Sequence, residues 1–341
     1  MPEGEVVTGP SLLRAGLILL GVVALVLLLL RLQELVIVFV IAVVLAEGLR
    51  PLVGELTRRG LHFELARASV YVTLIAALVL VVIVLTRPVV AQSRAVLADL
   101  PGYEQRLQSN LAPVLDALSI DASVGSQLSG YLGSVARAGL TFVTGVVRGL
   151  FDTVVVLLLS FLWLSAGARF GRFALGLLPP ERRPVLEQTW REIAAGFAGY
   201  VRGVAVNMVV IGVLTGVAAA LLDLPAPILL GVFAGLTEMI PIAGPIIGAV
   251  PAILLGFTIS PIYPLVVAVV YLAIQQIEAH TLVPAVMRQA VGLPALVVVV
   301  AIAAGAGLAG VGGALVAVPI AFSVQVMILR VVGPAIRERY G

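Results

Sequence analysis

Residues 227–251, PILLGVFAGLTEMIPIAGPIIGAVP, form two apolar runs that meet at a break holding Glu238, Pro241, Gly244 and Pro245. Each run, at roughly 14 residues and 1.5 Å per residue, is about 21 Å long. A hydrocarbon core is about 30 Å thick, and a comfortable crossing takes about 20 residues. Proline and glycine at the join break helices and free backbone groups. Lipid does not tolerate such a break unless protein or a wet cavity satisfies it. The stretch therefore reads as the working part of a membrane transport path.

Composition supports that setting. Hydrophobic residues make up 61% of the chain and charged residues 11%, against about 25% charge in a soluble domain. The class is an all-α, polytopic membrane protein. Net charge is +3 and the chain has no lysine. Its arginines lie scattered between apolar runs, which reads as membrane topology and excludes a nucleic-acid patch. With no cysteine and only His62 and His280, neither disulfides nor a metal site are expected.

In chain order, about six full spans and two broken or re-entrant hairpins are expected. Residues 11–30 read as a retained first span, 35–53 as the second and 69–90 as the third, which together make an N-terminal region over residues 1–90. Arg58, Arg59 and Arg67 place the loop between spans two and three in the cytoplasm, and the N-terminus with it. Residues 91–144 are the least hydrophobic part, with leucines and valines at helical spacing interrupted at Pro101-Gly102. Two or three amphipathic helices on the outer face are expected there, packing on the spans; a partner surface or lid is the other reading.

Residues 145–341 read as the transport region. Span four lies within 145–164, and Arg148 can pair with its Asp152 four residues on. A basic loop with Arg169, Arg172, Arg182, Arg183 and Arg191 is cytoplasmic. An amphipathic helix over 185–199 leads to span five at 203–222, with Arg202 at its cytoplasmic mouth. Span six covers 261–282. The last apolar run, 295–332, is nearly twice one crossing and is split by Gly310, Gly312 and Gly313. Arg330, Arg337 and Arg339 then mark a cytoplasmic C-terminus.

The run split by glycine resembles the first break. Gly244 and Gly312 each stand seven residues before a closing proline, in GPIIGAVPA and GGALVAVPI. Paired apolar segments interrupted by Gly or Pro, here 227–251 and 294–319, point to a transporter binding site. If the first dips in from outside and the second from the cytoplasm, the two breaks meet near the midplane.

Glu238 is the sharpest candidate, because a carboxylate at membrane depth normally faces a cavity or pairs. Gln276, Glu278 and His280 form a second polar cluster, with Gln276 and His280 on one helical face, His280 at the cytoplasmic mouth, and Glu278 pointing elsewhere. Asn207, inside span five, reads first as an amide bonding between helices and lies on the same candidate path. No HExxH, GxSxG or Walker loop occurs, so no enzymatic activity, cofactor or ATP hydrolysis is expected.

The motifs YVRG at 200–203, LTEMIPIAGPIIGAVPA at 236–252, QQIEAHTLVPAVM at 275–287, VGLP at 291–294 and AGVGGALVAVPI at 309–320 resemble those of the AI-2E (autoinducer-2 exporter) family. The resemblance covers nearly the whole chain. It implies a bacterial inner-membrane protein that moves a small solute, and a homo-oligomer, with a pentamer as one expectation. The leading expectation is a secondary transporter exporting a small polar, autoinducer-2-like solute. A sodium or lithium–proton antiporter is the alternative, and a non-transporting scaffold or receptor the alternative of another class.

Overall fold

With so few charges to interrupt them, the apolar runs fold as long helices, and the described residues contain no strand. The computed structural model describes residues 20–21, 31–117, 123–282, 292–334 and 336. All of span one but residues 20–21, the side chains of Arg148 and Asp152, and Arg288, Arg337 and Arg339 lie outside them. In order, the helices are α1 (Gln33–Arg58), α2 (Phe63–Ala98), α3 (Leu100–Ala117), α4 (Ser123–Gly176), α5 (Arg183–Leu221), α6 (Pro227–Thr237), α7 (Ala243–Phe257), α8 (Tyr263–Ile277) and α9 (Ala295–Met327). Among the described residues, five helices are long and apolar enough to cross a membrane.

Several expected boundaries disappear. Span three and the start of the polar interval are one helix, α2, and α5 joins the amphipathic helix at 185–199 to span five without a break. The interval's far end is likewise continuous with span four, because α4 runs for 54 residues, about 80 Å. The helical pattern was readable, but a drop in hydropathy marks where a helix leaves the bilayer and not where it ends.

The described part of that interval packs on the spans. Leu107 of α3 is fully buried in a cluster with Leu230 of α6, Leu255 of α7 and Val267 of α8. It also closes the ends of the first hairpin. Gln92 Oε1 accepts the backbone N–H of Leu229 in the first turn of α6 at 2.9 Å, and Asn110 Nδ2 donates to the Phe257 carbonyl at the end of α7 at 2.6 Å. Both bonds satisfy groups that a helix end leaves orphaned.

A second cluster joins α1, α5 and α9 through Val43, Val44, Phe197, Tyr200 and Phe322. A third joins α1, α2 and α4 through Leu49, Val53, Ala66, Tyr71 and Leu164. Between them sits Glu47, 1% exposed. It accepts from Arg50 at 2.6 and 2.8 Å and from the Trp163 indole at 3.0 Å. A hydrogen bond to a charged group contributes about 1.5–3 kcal/mol. Trp163→Phe should therefore lower stability by about that amount in a denaturant titration in detergent micelles. An unchanged midpoint would show that the indole bond carries nothing.

Both broken segments are helical hairpins. The arms of the first, α6 and α7, have 11 and 15 residues, about 16 and 22 Å, each short of a bilayer core. In the second, α9 is interrupted by non-helical backbone at Ala309 and Gly310. Its two arms fold back so closely that a Cβ on Gly305 would stand 2.5 Å from the Gly313 carbonyl oxygen.

Candidate functional site at Asn207, Glu238 and Glu278

Helices α5 and α6 run antiparallel at backbone contact. Gly212 and Gly216 of α5 face Gly231 and Gly235 of α6, two small-xxx-small pairs of the kind that draws membrane helices together. A Cβ at Gly231 would lie 2.5 Å from the Gly212 carbonyl oxygen, and one at Gly235 2.6 Å from that of Met208. This contact sets the register. It brings the end of α6, at Glu238, level with Asn207.

Three polar side chains from three elements meet there. The Asn207 amide nitrogen donates to Glu238 Oε2 at 3.0 Å and to Glu278 Oε1 at 2.6 Å. Glu238 is 4% exposed and Glu278 8%. Glu278 opens a π-helical turn, Glu278–Leu282, directly after α8. Such turns re-aim side chains and occur often at functional sites. Gln275, one turn earlier, lies beside Glu238.

The cluster is short of donors. An asparagine amide has two N–H groups, and here both are spent on carboxylates. Asn207 Oδ1 and Glu278 Oε2 are buried with no hydrogen-bond partner. The described hydrogen-bond partner of both carboxylates is the Asn207 amide, and no described cation is paired with either. An arrangement with surplus acceptors and two like charges is suited to taking up a proton, a small cation or a donor-rich solute.

The backbone beside it is strained. Ile242 has φ +70° and ψ −48°, and the Ala243 N–H bonds back to the Pro241 carbonyl at 2.8 Å. That is the uncommon γ-turn with positive φ, an outlier for a β-branched residue. Gly244 makes the fold-back possible, since a Cβ there would stand 2.2 Å from the Thr237 carbonyl oxygen.

The second hairpin approaches along another stretch of α5. Phe322 packs against Gly196, and the Tyr200 hydroxyl donates to the Leu315 carbonyl at 3.4 Å. Carrying that antiparallel register on brings Gly310 to the depth of Asn207 within about one helical turn. Both tips thus point to one level of α5 from opposite ends. The arms also share a joint. Pro251 and Pro319 lack an N–H and free the carbonyl four residues earlier, at Ile247 and Leu315. Tyr131 of α4 donates to the first at 3.3 Å as Tyr200 does to the second. Burial pushes the Tyr131 phenol pKa up, so it remains a donor.

Of the residues singled out in the sequence, the structure brings together Asn207, Glu238 and Glu278. Pro241, Gly244 and Pro245 form the turn beside them, while Gly310, Gly312 and Gly313 form the other tip. Gln276 and His280 are exposed on the opposite face of α8, with His280 Nδ1 against the Gln276 carbonyl, and Arg202 is exposed below the site. Gln275, the paired glycines and the tyrosine caps escaped the sequence reading. The spacing GVLTG and GVFAG was the available signal for the glycines; nothing local marks the others.

The AI-2E family transporter model matches residues 17–333. Among relatives, the chain is 34% identical to YrrI of Bacillus subtilis, a protein named for transport, over 41% of this chain and 39% of that protein. It is 24% identical to YueF of the same organism, also named for transport, over 72% of the chain and 70% of the relative. The AI-2 transport protein TqsA of Escherichia coli is 26% identical over 88% of the chain and 87% of its own length. The matched region spans about two fifths of YrrI and most of the other two.

Proposed function

The chain belongs to the AI-2E family of membrane transporters, and from that premise we propose that it is a secondary transporter exporting a small polar solute without ATP hydrolysis. The observation that carries the reading is the donor-poor cluster of Asn207, Glu238 and Glu278 beside the tip of the first hairpin. Broken helices supply their free ends to solutes and ions near the midplane. A membrane carboxylate that is not ion-paired marks such a path. TqsA is named for AI-2 transport, so an AI-2-like molecule is the solute to try first.

A second reading, sodium or lithium–proton antiport, is favoured by the same shortage of donors, which a bound cation and a bound proton could fill in turn. The proposed location is the bacterial inner membrane with both termini cytoplasmic, a topology that the arginine-bearing loops support. Homo-oligomers, pentamers among them, are the proposed assembly.

Proteoliposomes of the full chain separate these readings. Labelled AI-2 is loaded and its efflux followed under imposed proton or sodium gradients, with a fluorescent pH reporter alongside. Gradient-stimulated efflux that Glu238→Gln reduces at least tenfold is the expected result. A ΔpH response to sodium or lithium without AI-2 movement would favour the antiporter. Full activity of Glu238→Gln would remove Glu238 from the mechanism, and a chain with no flux in either assay would favour a scaffold.

A further inference from the structure

Helix α8 carries a polar stripe that extends past the cluster. Tyr271, Gln275 and Glu278 stand at i, i+4 and i+7, on one helical face. Gln275 and Glu278 belong to the site. Tyr271 lies about 10 Å further along the axis, toward Tyr263. It is 6% exposed and packs in the cluster with Leu230, Ala252 and Leu255. Its hydroxyl is closed off from water and has no hydrogen-bond partner. Phenylalanine would fill the same space without stranding a hydroxyl, so packing gives no reason for tyrosine.

The wall over Tyr271 is α7, and α7 is jointed. Pro251 interrupts its hydrogen bonding, and the carbonyl this frees is held from outside by Tyr131 at 3.3 Å. Gly248 and Gly256 flank the proline, each in close contact with neighbouring backbone, Gly248 with Ala234 and Gly256 with Pro264. Helices bend at such points when neighbours permit.

We propose that the Tyr271 hydroxyl is a solute-binding group of the open state. When α7 swings away at Pro251, Tyr271, Gln275 and Glu278 present a row of hydrogen-bonding groups about 10 Å long. A phenol and an amide both donate and accept, and a carboxylate accepts. That set matches a small polyhydroxylated solute, whose hydroxyls both donate and accept. This assignment rests on the transporter reading above and narrows its solute class.

The test uses the full chain in proteoliposomes with radiolabelled ribitol and AI-2 as probes. Tyr271→Phe should melt no lower than the parent, yet raise KM for the carried probe about five- to tenfold, the worth of one hydrogen bond, with the maximal rate kept. An unchanged KM overturns the proposal and leaves the transporter reading standing. Failure of the parent to carry either probe also overturns it, while the gradient measurements above judge the transporter reading separately. A second readout needs no flux, because the chain has no cysteine. Tyr271→Cys should react with a membrane-impermeant thiosulfonate, and ribitol should slow the reaction. A thiol that never reacts, or that ribitol does not protect, contradicts the assignment.

Discussion

Gly235→Val is expected to abolish transport while leaving an inserted, largely helical protein. A Cβ at Gly235 would meet the Met208 carbonyl oxygen at 2.6 Å and the Gly212 Cα at 3.2 Å. Backbone cannot rotate aside as a side chain can. To restore ordinary contact, at or above 3.4 Å, α5 and α6 must part by about 1 Å, since overpacked interiors shift their backbone. The Asn207 bond to Glu238, now 3.0 Å, would then stretch past the limit of a hydrogen bond. Overpacking itself costs about 1–3 kcal/mol. Flux in proteoliposomes and melting in detergent check both parts, and a Gly235→Val protein with parental flux would show that helix contact does not set the site.

Asn207→Leu is the second large effect. Its amide is the described donor to both Glu278 and Glu238. Removing it strands buried carboxylate oxygens, which costs about 1–3 kcal/mol and more for a charged group. Transport should fall by about a hundredfold, near the equivalent of the upper figure. Adding Glu278→Gln to Asn207→Leu replaces one carboxylate by an amide that can donate. The double variant should regain most of the melting temperature without regaining flux. Additive losses in both measurements would show that the two positions do not act as a unit.

Much of the architecture was legible because bilayers restrict the options. Apolar length and the break at Glu238-Pro241-Gly244 identified helices and a hairpin without any tertiary information. The paired glycine–proline spacing identified the second hairpin, and the structure gives it a physical meaning in the carbonyls freed at Ile247 and Leu315. What could not be read was partnership across the chain. Glu238 and Glu278 appeared as separate clusters, since only the α5–α6 register and the π-turn at Glu278 bring both to Asn207. Gln276 and Gln275 are adjacent in sequence, and one residue of helix rotation, 100°, decides which faces the site. Local spacing placed Gln276 with His280 correctly, yet gave no sign that Gln275 lies beside Glu238.

The proposed mechanism puts the tip of the first hairpin on a path that opens alternately to the two sides of the membrane. Met239, next to Glu238 at that tip, is partly buried and can be replaced by cysteine in a chain that otherwise has none. Oriented vesicles of Met239→Cys that retain flux would be treated with an impermeant thiol reagent from each side in turn. Reaction from both sides, with the balance shifting when the gradient is reversed, is the predicted result. Reaction from one side only, whatever the gradient, would contradict the account.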